Sequence, residues 1–149
     1  MTDIAIRYRQ NPILSPKDLN PSEENFEITG LLNPGAFQFD NKIWLLIRVA
    51  ERPEQKEGVI FFPILAGKGK TKVVEIPLDH PDLDARDPRI INYMGDDYLT
   101  TISHLRLVFS DNGIDFQESK EYPPILGEGE YETFGIEDCR VSQIKDTYY

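Results

Sequence analysis

Polar residues dominate positions 1–30, and Pro12, Pro16 and Pro21 interrupt any helical period there, so the pattern predicts an extended N-terminal arm. From Ala36 the pattern becomes that of strands. Ala36-Phe37-Gln38-Phe39 leads into the turn residues Asp40-Asn41, and Ile43-Trp44-Leu45-Leu46-Ile47 returns as a continuous apolar run. Such a run is expected of a strand buried on both faces. It ends at Arg48, a charge at the mouth of an apolar strand. Gly58-Val59-Ile60-Phe61-Phe62 and Val73-Val74-Glu75-Ile76 are predicted to be the outer strands of the same unit, with Gly67-Lys68-Gly69-Lys70 as the turn between them. Further strands are predicted over 89–91, 98–103 and 105–110. The Asp111-Asn112-Gly113 triplet marks a hairpin, because Asn-Gly supplies the positive φ that a tight turn needs. No stretch carries the period of an amphipathic helix.

One short unit recurs. Asn33 is followed eleven positions later by Trp44, Asp87 by Tyr98, and Asp138 by Tyr149, with Asp40, Asp96 or Asp146 in the intervening turn. The copies start 54 and 51 residues apart. A period near ~50 residues with several short strands per unit is the mark of a propeller blade. The fold class is therefore all-β, a β-propeller of which 149 residues cover about two blades and the start of a third. Residues 1–149 are expected to be the N-terminal part of a single propeller domain, with 1–30 as its arm. A closed propeller needs at least ~4 blades, so further blades are expected beyond Tyr149.

Charge narrows the partners. The formal net charge is −10, which argues against nucleic acid and against an anionic membrane surface, both of which need a basic face. A neutral ligand such as a sugar is compatible with it. Cys139 is the single cysteine, so no internal disulfide can form, and no signal peptide or membrane span is visible. A cytoplasmic location is the expectation. No His/Cys spacing suggests a metal, and no cofactor is called for. A homo-oligomer is left open.

The starts of the repeated units hold Asn33, Asp87, Arg89, Glu137, Asp138 and Arg140. Innermost propeller strands line a central channel, so equivalent positions converge on one axis. Carboxylate, guanidinium and amide groups together suit a sugar, whose hydroxyls need fixed donors and acceptors. Ion pairing between blades accounts for the same residues equally well.

Leu32-Asn33-Pro34-Gly35-Ala36-Phe37, Trp44-Leu45-Leu46-Ile47-Arg48, Ser103-His104-Leu105-Arg106-Leu107, Ser110-Asp111-Asn112-Gly113-Ile114-Asp115-Phe116 and Gly135-Ile136-Glu137-Asp138-Cys139-Arg140 together resemble glycoside hydrolase family 130. The likeness runs from about Asn11 to the C-terminus in the family's order. It implies a five-bladed propeller and an inverting β-mannoside phosphorylase. Such an enzyme cleaves mannosyl-glucose, mannosyl-N-acetylglucosamine or a mannooligosaccharide with inorganic phosphate to give mannose 1-phosphate. Asp138 matches the general acid, which acts through the sugar's 3-hydroxyl. Asn33 and Arg48 match positions that bind the mannosyl unit, and Arg89 and His104 are further candidates for substrate binding. An acid held near Glu137 and away from water is expected to have a raised pKa. The family usually has proline where this chain has Cys139, a position expected to support the strand start rather than to touch sugar. Its phosphate-binding residues lie downstream of Tyr149, so this chain alone would lack the phosphate site. A hydrolase of the same family and a noncatalytic sugar-binding propeller are the alternatives. In the noncatalytic case Asp138 is an ordinary ion-pair partner with a lowered pKa.

Overall fold

A computed structural model describes residues 6, 8–67 and 69–149. The N-terminal arm before residue 8 is described only at Ile6, and Lys68 of the Gly-Lys-Gly-Lys turn lies outside the described residues. Among the described residues one short 3-10 turn, Pro16–Asp18, precedes eleven strands. They are β1 (Phe26–Phe39), β2 (Lys42–Pro53), β3 (Val59–Leu65), β4 (Thr71–Pro77), β5 (Leu83–Asp84), β6 (Ile90–Tyr93), β7 (Asp96–Leu99), β8 (Ile102–Ser110), β9 (Gln117–Glu118), β10 (Gln143–Ile144) and β11 (Thr147–Tyr148). The all-β expectation holds, with β1 beginning inside the span assigned to the arm.

The three repeated units are three hairpins with two-residue turns. β1 and β2 meet at Asp40-Asn41, β6 and β7 at Met94-Gly95, and β10 and β11 at Lys145-Asp146. Asp40, Asn41, Met94, Gly95 and Lys145 all have positive φ, the twist that lets a two-residue turn match right-handed strands. Trp44 and Tyr98, the aromatics of the first two copies, pack inward: Trp44 lies 5.2 Å from Phe109 and Tyr98 4.9 Å from Phe62, ring centre to ring centre. In the third copy it is Tyr148 that packs, against Phe37 at 5.2 Å, while Tyr149 is exposed.

The grouping of strands into sheets differs from the sequence reading. β3 and β4 pair only with each other, and the strand beside β2 is β8, in an antiparallel sheet of order β1-β2-β8-β9. The chain leaves this sheet after Pro53, forms β3 to β7, and returns. The excursion has its own core: Phe62, Ile76 and Ile91 are buried together, with Tyr98 and Tyr93 against them. Pairing between strands so far apart in sequence leaves no local trace, which is why adjacent strands were grouped wrongly.

The β2–β8 ribbon has two unlike faces. Ile47, Val49 and Val108 point to one side, where Leu19 from the arm and Phe116 close the core. Arg48, Ser103, Leu105 and Leu107 belong to the other side, since successive side chains alternate. Each register pair, such as Arg48 with Leu105 and Val49 with His104, therefore presents its two members to the same face.

Candidate functional site

A bulge in β1 opens the site. Leu32 pairs with Arg48 and Gly35 with Leu46, so Asn33 and Pro34 together oppose Ile47. Proline cannot donate to the ladder and suits such a break. Asn33 takes φ 41°, a left-handed conformation that asparagine tolerates better than most residues. A bulge of this kind re-aims a side chain. Here the Asn33 amide Nδ2 donates to Asp138 Oδ1 at 2.6 Å.

Asp138 arrives on a loop pinned to β8. Ile136 N donates to the Ser103 carbonyl at 3.0 Å, beside a parallel bridge between Ser103 and Gly135. Gly135 has φ 94°, and a Cβ there would lie 2.1 Å from the Ser103 carbonyl oxygen, so only glycine permits this approach. Beyond Asp138, the Cys139 thiol donates to the Leu46 carbonyl at 2.9 Å. A Cβ on Gly35 would fall 2.9 Å from the Val141 side chain. Cys139 thus fastens the loop to the sheet, as expected of a supporting position.

Arg48 lies at the centre. Its Nε donates to Ser103 Oγ at 3.0 Å, and its Nη1 reaches Glu137 at 2.6 Å and Asp138 at 3.3 Å. The Arg48 side chain is 20% exposed, against 45% for Glu137 and 55% for Asp138. The Asn33 hydrogen bond, followed by the Arg48 hydrogen bond and charge and by Arg140, holds the Asp138 carboxyl below its ordinary value; partial burial opposes them and loses. The expected raised pKa is therefore overturned: these neighbours hold the carboxyl below its ordinary value. An open carboxylate bonded to an amide and a guanidinium favours its charged form.

Three sequence candidates thus come together: Asn33, Arg48 and Asp138. Arg89 does not join them. It is 81% exposed, and its guanidinium bonds Asp87 two residues earlier at 3.3 Å. Asp87, expected to converge with Asn33 and Asp138, is occupied by that local pair.

His104 is a correction. It is fully buried on the opposite face of β8 from Ser103 and cannot meet a ligand there. Its Nε2 accepts from Arg106 Nε at 2.9 Å, which puts the proton on Nδ1, a buried atom with no partner among the described residues. Burial, and secondarily the Arg106 charge, push its pKa down to about 3. The sequence reading missed Ser103, although strand alternation carries the signal: if Arg48 and Ser103 share a face, His104 cannot.

No family model matches the chain. The chain is 38% identical over 149 residues to a beta-1,2-mannobiose phosphorylase of Listeria innocua serovar 6a, in an alignment that takes in 96% of this chain and 42% of that protein. The solved structure of beta-1,2-mannobiose phosphorylase from Listeria innocua, in complex with beta-1,2-mannobiose, superposes with a TM-score of 0.81 at 36% identity. That superposition covers 95% of this chain and 42% of the solved one. The chain therefore spans about two fifths of the length of the relatives it matches, and its sheets are part of a β-propeller.

Proposed function

We propose, for a chain that belongs to glycoside hydrolase family 130, that it supplies the mannosyl-binding and proton-donating part of an inverting β-mannoside phosphorylase. The observation that carries this reading is the Asn33–Asp138–Arg48 cluster, in which the three residues matching the family's acid and mannosyl-binding positions meet within 3.3 Å. A β-mannoside takes the place of the contacts that Asp138 now makes to Asn33 and Arg48. Sugar hydroxyls donate to the carboxyl where the amide and guanidinium donate now, without the guanidinium's charge, and the sugar excludes water from it. Both changes raise the Asp138 pKa in the complex and prepare it to hand a proton to the leaving oxygen by way of the 3-hydroxyl. Inorganic phosphate attacks the anomeric carbon from the other side; the C1–O bond to the leaving sugar breaks, and mannose 1-phosphate forms with inversion. β-1,2-Mannobiose is the first substrate to try, because the relative carries its name.

The noncatalytic reading has one observation in its favour: Asp138 is ion-paired and its pKa is lowered. The two readings part on ligand binding. In a catalyst the group that limits kcat titrates higher than the group that limits kcat/KM, since the first reports the complex and the second the free enzyme.

The test is turnover of β-1,2-mannobiose by the full-length protein with and without inorganic phosphate. Phosphate-dependent release of mannose 1-phosphate is the expected result. Release of free mannose without phosphate would assign the hydrolase alternative, and binding without turnover would assign the noncatalytic one.

A further inference from the structure

We infer that Ser103 is a positioning residue that sets how Arg48 is shared between Glu137 and Asp138. The inference rests on the functional reading above and names a residue that reading does not use. Ser103 is 3% exposed and makes two different connections. Its hydroxyl accepts Arg48 Nε at 3.0 Å, and its carbonyl accepts Ile136 N at 3.0 Å, two residues before Asp138. One residue therefore registers the guanidinium and the acid-bearing loop against each other.

The consequence follows from the geometry of a guanidinium, whose donors form a rigid planar fork. With Nε anchored on Ser103, the fork cannot turn to give Glu137 a second hydrogen bond. Nη1 is then left between the two carboxylates, at 2.6 Å from Glu137 and 3.3 Å from Asp138. Without the serine hydroxyl, Nε is free, and the fork closes on Glu137, its nearer partner, as a bidentate pair. Asp138 then loses part of its cationic neighbour. Around Asp138 stand Asn33 from β1, Arg48 from β2, and Glu137 and Arg140 from its own loop. Of these cations only Arg48 is anchored by Ser103.

The test is made in the full-length protein by NMR, on the Asp138 carboxyl carbon and on the Arg48 Nε–H, each assigned by its loss in Asp138→Asn or Arg48→Lys. In Ser103→Ala the Asp138 carboxyl is expected to titrate at higher pH than in the unaltered protein. The Arg48 Nε–H of the unaltered protein is expected to exchange with water more slowly than those of Arg86 and Arg89, both largely exposed. That second measurement needs no variant and stands if Ser103→Ala fails to fold. In turnover of a β-mannoside, Ser103→Ala is expected to lower kcat/KM roughly ten- to a hundredfold, the range for losing a hydrogen bond to a charged group, and to move upward its alkaline limb, which deprotonation of the general acid sets. An unshifted Asp138 carboxyl, or an Arg48 Nε–H exchanging as fast as that of Arg86, overturns the positioning role whether or not the protein turns over a mannoside. Absence of turnover in the unaltered protein overturns the functional reading and leaves the two NMR results to decide the role of Ser103.

Discussion

Two arginine clusters sit back to back on the β2–β8 ribbon, and they are built from the same parts. On the core face Arg106 reaches Glu51 at 2.5 Å and Glu118 at 3.2 Å, with His104 on its Nε. On the other face Arg48 reaches Glu137 at 2.6 Å and Asp138 at 3.3 Å, with Ser103 on its Nε. What separates them is water. Glu51 is fully buried and Arg106 nearly so, whereas Asp138 is more than half exposed. The buried cluster also has its remaining valences filled: Ser22 donates to Glu51 from its backbone and its hydroxyl, and Arg106 donates to the Asn20 carbonyl. It ties the arm to the sheet, and the one donor it leaves unfilled, His104 Nδ1, is fully buried and out of a ligand's reach. The exposed cluster leaves a carboxylate oxygen open. An arginine between two carboxylates thus becomes structural on one face and available on the other.

The largest effect on stability is expected at the buried cluster. Glu51→Ala strands a buried guanidinium, and loss of about 3–5 kcal/mol is the usual cost of breaking such a pair from one side. Urea unfolding measures it directly, and a loss below about 1 kcal/mol would mean that the cluster is less isolated from water than it is drawn here.

Gly135→Ala comes next. The added Cβ collides with the Ser103 carbonyl, and its φ of 94° strains any other residue. A penalty of ~1–3 kcal/mol is expected for such a conformation, together with displacement of Asp138 from Asn33. Loss of the slow-exchanging Ile136 amide, by hydrogen exchange, reports the displacement.

His104 gives the core face a pH dependence in the range between its ordinary and its folded pKa. Its pKa is about 3 when folded, against an ordinary value of 6.5. The unfolded chain therefore takes up a proton first as pH falls. This residue's contribution is fully present above pH 6.5 and erodes on the way down towards 3, by up to about 1.4 kcal/mol per pH unit. Unfolding free energies at pH 7 and 4.5 should differ in the unaltered protein and converge in His104→Gln. Equal slopes in both would remove His104 from the account.

Arg48→Ala is expected to cost the least stability, within about 1 kcal/mol, because partly exposed ion pairs contribute little. Its effect belongs instead to ligand binding and rate, which should fall together.

The three hairpins were legible in the sequence because they are written locally, and so was the meeting of Asn33, Arg48 and Asp138, whereas Asp87 and Arg89, expected on the same axis, stand apart. Turn residues with positive φ fix the hairpins, and the Asn-Pro-Gly and Glu-Asp-x-Arg segments fix the bulge and the loop. Arg89 stands apart from the cluster because a short-range bond to Asp87 engages it, a local pairing that the repeat spacing does not reveal. His104 was misjudged because it was read as a polar residue in a motif rather than as a position on a strand, where alternation turns it to the core. The neighbours of β2 were misjudged because nothing near β2 in sequence states that β8 returns to it. The pKa of Asp138 was read from the job an acid must do, whereas Asn33 and Arg48 hold it as a carboxylate.

The central claim is that the exposed face carries chemistry at Asp138 that the buried face cannot. The most direct measurement is turnover of unactivated β-1,2-mannobiose with inorganic phosphate by full-length Asp138→Asn, beside the unaltered protein, with urea unfolding of both. An amide keeps the shape and cannot supply a proton, so kcat is expected to fall by roughly 10²–10⁴-fold while the urea midpoint stays close to that of the unaltered protein, because exposed ion pairs contribute little to stability. A near-normal kcat with an unchanged pH profile would contradict the claim and move the search for the acid to Glu137.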